Sequence, residues 1–136
     1  MQTTKGRLAL NYTTIANEKY INFFCSSVEK NMNDDVCCQF LDEMSNIVEG
    51  SVFPMPPSEI KKAIYKRLNL NCENSKNIRM IASNADFLNK LTPFEIFTLI
   101  WLVSCQNVMS YSEEFYLFFA NNGTIGRLLL ALANSN

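Results

Sequence analysis

The sequence contains no histidine among its 136 residues. Histidine is the commonest general base and a frequent zinc ligand, so its absence excludes Ser-His-Asp and Cys-His catalytic arrangements and histidine-based zinc sites. Glycine is also scarce, and four glycines are too few for the loops that bind phosphates or dinucleotides. We therefore expect no enzymatic activity, no cofactor and no metal, and we name no catalytic residue.

Cysteine is present, but no pair has the spacing of a zinc or redox motif. Five cysteines without a recognisable signal peptide are typical of a reducing compartment, so we expect a cytoplasmic or nuclear protein. Free thiols that pack as small apolar side chains are the favoured interpretation. An all-cysteine zinc site would instead require four of them to converge from separate helices. The five are Cys25, Cys37, Cys38, Cys72 and Cys105.

The chain also lacks a strong net charge and a long apolar run. Its formal net charge is −1, and no apolar stretch reaches the roughly 18 residues that a membrane span requires. A nearly neutral chain has no overall field that attracts nucleic acid or lipid, and it has little charge repulsion against its own copies. We expect no membrane span, a protein partner and a homo-oligomer. The abundance of asparagine accompanies AT-rich coding genomes, and a viral gene is one such origin.

Helical periodicity is abundant, and the sequence predicts an all-α protein. The 136 residues are enough for one domain with a real core, so we predict a single helical domain over 1–136. Residues 1–12 alternate as in a short strand or an extended arm. The expected architecture is an orthogonal bundle of six to seven helices. Helices are predicted over 14–30, 34–49, 58–70, 76–89, 93–109 and 113–121, with a short helix after Gly123.

The central element of this bundle is predicted over residues 93–109. Thr92, Pro93 and Glu95 have the spacing of a helix start, with a capping threonine, a proline at the first position and a glutamate at the third. The following residues, 96–103, are almost all apolar. A helix that is apolar on every side is buried on every side, so we expect the other helices to surround this one.

Two sets of residues are candidates for a binding surface. Six cations lie within residues 61–79, whereas acidic residues dominate 34–49, so the chain is electrically two-sided. The cations form either a solvated face, a docking patch for an acidic protein or a phosphate backbone, or a surface that pairs with the acidic helix of another copy. The cations are Lys61, Lys62, Lys66, Arg67, Lys76 and Arg79.

The second set is the aromatic group of Phe115, Tyr116, Phe118 and Phe119. These residues occupy two faces of one short helix, and only one face can enter the core through that helix alone. The other face is covered either by neighbouring helices or by a partner. In the second case it would form an exposed apolar patch, which in soluble proteins commonly marks an interaction site.

The segment from Phe118 to Ala133 resembles the BH1 segment of Bcl-2-like apoptosis regulators. Phe119, Gly126 and Arg127 match the spacing of that motif, whereas Thr124 and Ile125 replace its asparagine and tryptophan. The family also places this segment in mid-chain, but here nine residues follow Arg127. The resemblance implies a helical fold in which Arg127 meets an acidic residue of a bound BH3 helix, in a groove that holds Phe119.

These patterns together favour a non-enzymatic protein-protein interaction module that also associates with itself. One alternative is the Bcl-2-like fold, which binds a partner helix in a groove and modulates apoptosis or host signalling. Another is a nucleic-acid-associated factor that uses the basic helix pair 61–79 on phosphates, an option that the near-neutral charge does not favour.

Overall fold

The computed structural model of the protein describes residues 12–49, 57–70, 77–104 and 113–135. Regular structure in these ranges is entirely helical, which confirms the all-α prediction. A 3-10 helix spans Tyr12–Thr14, so the arm or strand expected over 1–12 lies otherwise outside the described residues. The α-helices are α1 (Glu18–Cys25), α2 (Asp35–Glu49), α3 (Pro57–Arg67), α4 (Asn77–Ala82), α5 (Ala85–Leu88), α6 (Pro93–Ser104), α7 (Glu113–Asn121) and α8 (Thr124–Asn134).

The described ranges contain eight α-helices rather than six or seven, because one predicted helix is divided in two. Asn84 divides the helix predicted over 76–89, since its extended backbone breaks α4 while its side chain accepts from the Asp86 amide and begins α5. Asn17 delays α1 in the same way by accepting from the Tyr20 amide. Asparagine favours such helix starts because its side chain competes for backbone amides.

The apolar helix α6 begins as predicted. Thr92 Oγ1 accepts from the Glu95 amide at 3.1 Å, and Glu95 Oε1 accepts from the Thr92 amide at 2.9 Å. Eight of its twelve residues are buried, and the helix packs mainly against α3, α7 and α8. Trp101 is only partly buried, so the enclosure is incomplete at that position. The predicted extension over 105–109 lies outside the described residues.

The last helix, α8, completes the core by packing between α1 and α6. Its start follows Gly123, whose φ of +86° is a conformation that glycine adopts without strain. At Gly126 the helix approaches α1 so closely that an added β-carbon would lie 2.7 Å from the Phe24 carbonyl oxygen. The absence of a side chain at Gly126 therefore sets the distance between the two helices.

Candidate functional site

The structure corrects the aromatic candidate surface. Tyr116 and Phe119 are 3% and 1% exposed, and they lie in the core rather than on a surface. Their spacing of three residues puts both on the inner face of α7, where the Tyr116 ring lies 6.5 Å from the Phe24 ring. Phe118 points away from that face and is 44% exposed. The Phe115 side chain lies outside the described parts of the chain.

Phe118 borders a shallow cavity of about 370 Å³, which also contacts the segment between α1 and α2. Lys30 lies in its wall and is only 3% exposed. Its ammonium donates to the carbonyl oxygens of Ser26 and Val28, each at 2.8 Å, and burial lowers the pKa of Lys30. The lining residues are Glu29, Lys30, Leu117, Phe118, Asn121 and Asn122.

The basic candidates are divided among helices with different neighbours. Lys61, Lys62, Lys66 and Arg67 all lie on α3, which packs mainly against α6. Arg79 is exposed on α4, which packs against α5 and α8. Lys76 lies outside the described residues.

Part of the charge on α3 is compensated within the chain. Lys62 pairs with Glu59 at 3.4 Å, and Arg67 pairs with Glu95 at 2.5 Å. Arg67 also donates to the Lys90 carbonyl oxygen, so its guanidinium is held against the start of α6. These pairs reduce the field that α3 could offer to a phosphate backbone, which weighs against the nucleic-acid alternative.

A larger depression, which we call the α8 groove, runs along the outer side of α8. It has a volume of about 560 Å³ and lies between α8, the start of α6 and the α4–α5 corner. Its apolar wall includes Leu130, which is 45% exposed. Its lining residues are Ala82, Ser83, Ala85, Leu88, Asn89, Leu91, Pro93, Arg127, Leu130, Ala131, Asn134 and Ser135.

Arg127 lies in the lining of the α8 groove, three residues before Leu130. Its Nη1 donates to the Asn122 carbonyl oxygen at 3.3 Å, and the guanidinium lies over Gly123. Among the described residues Arg127 forms no ion pair, and it is the only formally charged residue that lines this groove. The guanidinium can therefore bind an acidic group supplied from outside.

The BH1 resemblance predicts a groove that contains Arg127 and Phe119, and the structure separates the two. Arg127 borders the α8 groove, whereas Phe119 is buried and does not line it. Leu88, Leu91 and Leu130 take part instead, and sequence reasoning missed them. The run Leu128-Leu129-Leu130 was the available signal, because three consecutive leucines cannot all lie on the buried side of one helix.

The cysteines differ in environment, which corrects the expectation that they pack as buried apolar residues. Cys37 is buried, whereas Cys25 and Cys38 are exposed, and all three are free thiols. Burial raises the pKa of the Cys37 thiol. Cys72 and Cys105 lie outside the described residues. In the ranges that the structure covers, no three Cys, Asp or Glu side chains come together in a way that could hold a metal ion.

None of the helices in the described ranges is long and apolar enough to cross a bilayer. No family model, curated protein or solved structure matches the chain.

Proposed function

We propose that the protein is a non-enzymatic interaction module that binds an amphipathic helix of a partner protein in the α8 groove. One observation carries this proposal: an apolar wall open to solvent lies next to an arginine that forms no ion pair with a described residue. Exposed apolar surface of this kind commonly marks a binding site. Apolar side chains next to a single charge suit recognition of an amphipathic helix.

The chemistry of the partner follows from Arg127 and Leu130. Residues three apart on a helix are neighbours, so the β-carbons of Arg127 and Leu130 lie about 5–6 Å apart. A matching partner helix has a carboxylate three or four residues away from a leucine or methionine. The carboxylate would form a charge-assisted hydrogen bond with Arg127 while the apolar side chain enters the groove.

The resemblance to BH1 suggests the first peptides to test. We expect at least one of a panel of labelled BH3 peptides to bind with a Kd in the micromolar range or below, measured by fluorescence anisotropy. Arg127→Glu should raise that Kd at least about tenfold, because it replaces an attraction by a repulsion. Leu130→Asp should weaken binding similarly by placing a charge in the apolar wall.

Arg79→Glu is the matched control, since Arg79 is an exposed arginine that does not line the groove. It should leave the Kd within about twofold. A complete lack of binding across the panel, or equal loss of affinity in the Arg79 and Arg127 variants, would contradict the proposal.

A further inference from the structure

A second interaction surface is indicated by two outer helices of opposite charge. α2 contains four acidic residues and neither lysine nor arginine, whereas α3 contains four cations and a single glutamate. The net charge of the whole chain is only −1, so this separation is hidden in the total. Negative charge is concentrated on α2 and positive charge on α3, so the two helices are electrostatically complementary.

The charges lie on the solvent side of each helix. On α2, Asp35 and Asp42 are both exposed, and a spacing of seven residues puts them on one face about two turns apart. On α3, Lys62 and Lys66 are exposed one turn apart on a single face, and Arg67 is exposed beside them. Each helix thus presents a stripe of one predominant sign to the surroundings.

Contacts within the chain neutralise these stripes only in part, since Arg67 is paired with Glu95. The pair between Lys62 and Glu59 has side chains that are 60% and 53% exposed, and exposed pairs of this kind contribute little. Lys66 forms no ion pair with any residue that the structure describes, and the same holds for Asp35 and Asp42. Their charges remain available to an external surface.

We propose that two copies of the chain bind each other through α2 of one copy and α3 of the other. In an antiparallel crossing, a rise of about 1.5 Å per residue allows Lys62 to meet Asp42 of the second copy while Lys66 lies within about one turn of its Asp35. Glu59 then falls opposite Ser45, which is uncharged. This orientation also aligns the two helix dipoles favourably.

A second copy is the occupant that the charges favour, because the complement of each stripe is present on the same chain. With a net charge of −1, two copies approach each other without appreciable long-range repulsion. The contact is heterologous, since different surfaces meet, and it can continue to a third copy or close into a ring. It uses neither Arg127 nor Leu130, so it is independent of binding in the α8 groove.

Sedimentation velocity over a concentration series tests this inference. We expect the weight-average sedimentation coefficient of the wild-type chain to rise with concentration at about 20 mM NaCl and to rise far less at about 300 mM, because salt screens exposed charges. Lys62→Glu with Lys66→Glu should abolish the rise, and so should Asp42→Lys with Asn46→Lys. Arg79→Glu, which alters an exposed cation outside both stripes, should retain it.

Mixing the two double variants gives the sharpest test. In each double variant alone, the substituted charges face charges of the same sign, so the variant should stay monomeric. In the equimolar mixture they face charges of opposite sign, so association should return at low salt. Circular dichroism of each variant establishes that it is folded. A wild-type chain that stays monomeric at low salt and high concentration overturns the inference, and so does a mixture of folded variants that fails to associate. Arg127→Glu should leave the association intact, which separates this result from failure of the groove proposal.

Discussion

Gly126 of α8 lies directly against the backbone of Phe24 in α1, with no room for a side chain between them. A β-carbon at position 126 would lie 2.7 Å from both the carbonyl carbon and the carbonyl oxygen of Phe24, and 2.6 Å from Cys25 Sγ. A thiol at the end of a side chain can move, but a helix backbone cannot move without displacing its neighbours. The close approach of α1 and α8 therefore depends on this glycine.

We predict that Gly126→Ala lowers the free energy of unfolding by about 1–3 kcal/mol, as expected for overpacking. The sign is informative, because the same change at an unconstrained helix position stabilises by up to about 1 kcal/mol. Urea denaturation measures the difference. The double variant with Cys25→Ala is the control, since it removes the thiol contact and leaves the Phe24 contact. It should recover little of the loss, and full recovery would show that the thiol alone limits the space.

A second prediction concerns the cap of α6. Thr92→Ala should lower the free energy of unfolding by about 1 kcal/mol, because the Glu95 amide loses its acceptor at the start of a buried helix. Thr92→Ser keeps the hydroxyl and should stay within about 0.5 kcal/mol of wild type. Thermal and urea unfolding of the three proteins provide the comparison. Equal stability of the alanine and serine variants would mean that the cap contributes nothing.

A third prediction concerns Tyr20 at high pH. Burial, together with a hydrogen bond of 2.9 Å to Glu43, raises the pKa of Tyr20 from 10.0 to about 12. Between these values the folded protein holds the phenol proton more tightly than the unfolded chain does. This contribution to stability is therefore complete below pH 10 and is lost as the pH rises toward 12. The loss is of the order of 2 kcal/mol.

Tyr20→Phe isolates this effect. The wild-type protein should exceed the variant in unfolding free energy at about pH 9, and the gap should narrow by about pH 11. Glu43→Gln removes the carboxylate charge and retains an acceptor. With this substitution in both proteins, the difference in unfolding free energy caused by Tyr20→Phe should still decrease with pH, but by less. A gap that stays constant with pH would show that Tyr20 titrates normally in the folded state.

A fourth prediction concerns Lys30, whose pKa is lowered by burial, against a smaller opposing influence of Cys37, Cys25 and Asp34. Above the lowered pKa and up to 10.5 the unfolded chain binds more protons than the folded one, so stability rises with pH through that window. The unfolding free energy of wild type should therefore rise relative to Lys30→Met as the pH approaches 10.5 from below.

Lys66→Met is the control for Lys30, because Lys66 is an exposed lysine on α3. Removal of this exposed charge should change the unfolding free energy by no more than about 0.5 kcal/mol. Urea titrations at several pH values measure both variants against wild type. A Lys30 variant that follows the Lys66 variant at every pH would contradict the argument from burial.

The start of α6 was predictable from sequence because its determinants are local. Thr92 and Glu95 are three residues apart, and each satisfies a backbone amide of the other. The apolar run after them predicted that the helix is buried, although the sequence does not identify the helices that cover it. The same local reasoning failed at Asn84, where a side-chain acceptor interrupts a periodic pattern that otherwise continues.

The α8 groove was not predictable, because it is formed by elements that meet only in the folded chain. Leu88, Pro93 and Leu130 come from three helices, and no spacing in the sequence places them together. The burial of one face of the aromatic helix α7 was not predictable for a related reason. Its sequence allowed either face to be covered, and the contact between Tyr116 and Phe24 decided that Tyr116 lies inside. Arg127 was found through a motif resemblance rather than through periodicity.

The contact between α1 and α8 has a consequence for how the protein is made. The segment after α1 is tied to the end of α7 by hydrogen bonds between Lys30 and Asn121, which are 91 residues apart. Closing so long a loop costs entropy before any contact is gained, so folding should be slower than in bundles whose helices pair with sequence neighbours. On the ribosome, the apolar side of α1 would stay uncovered until α8 had emerged, and chaperones would have their greatest influence during that interval.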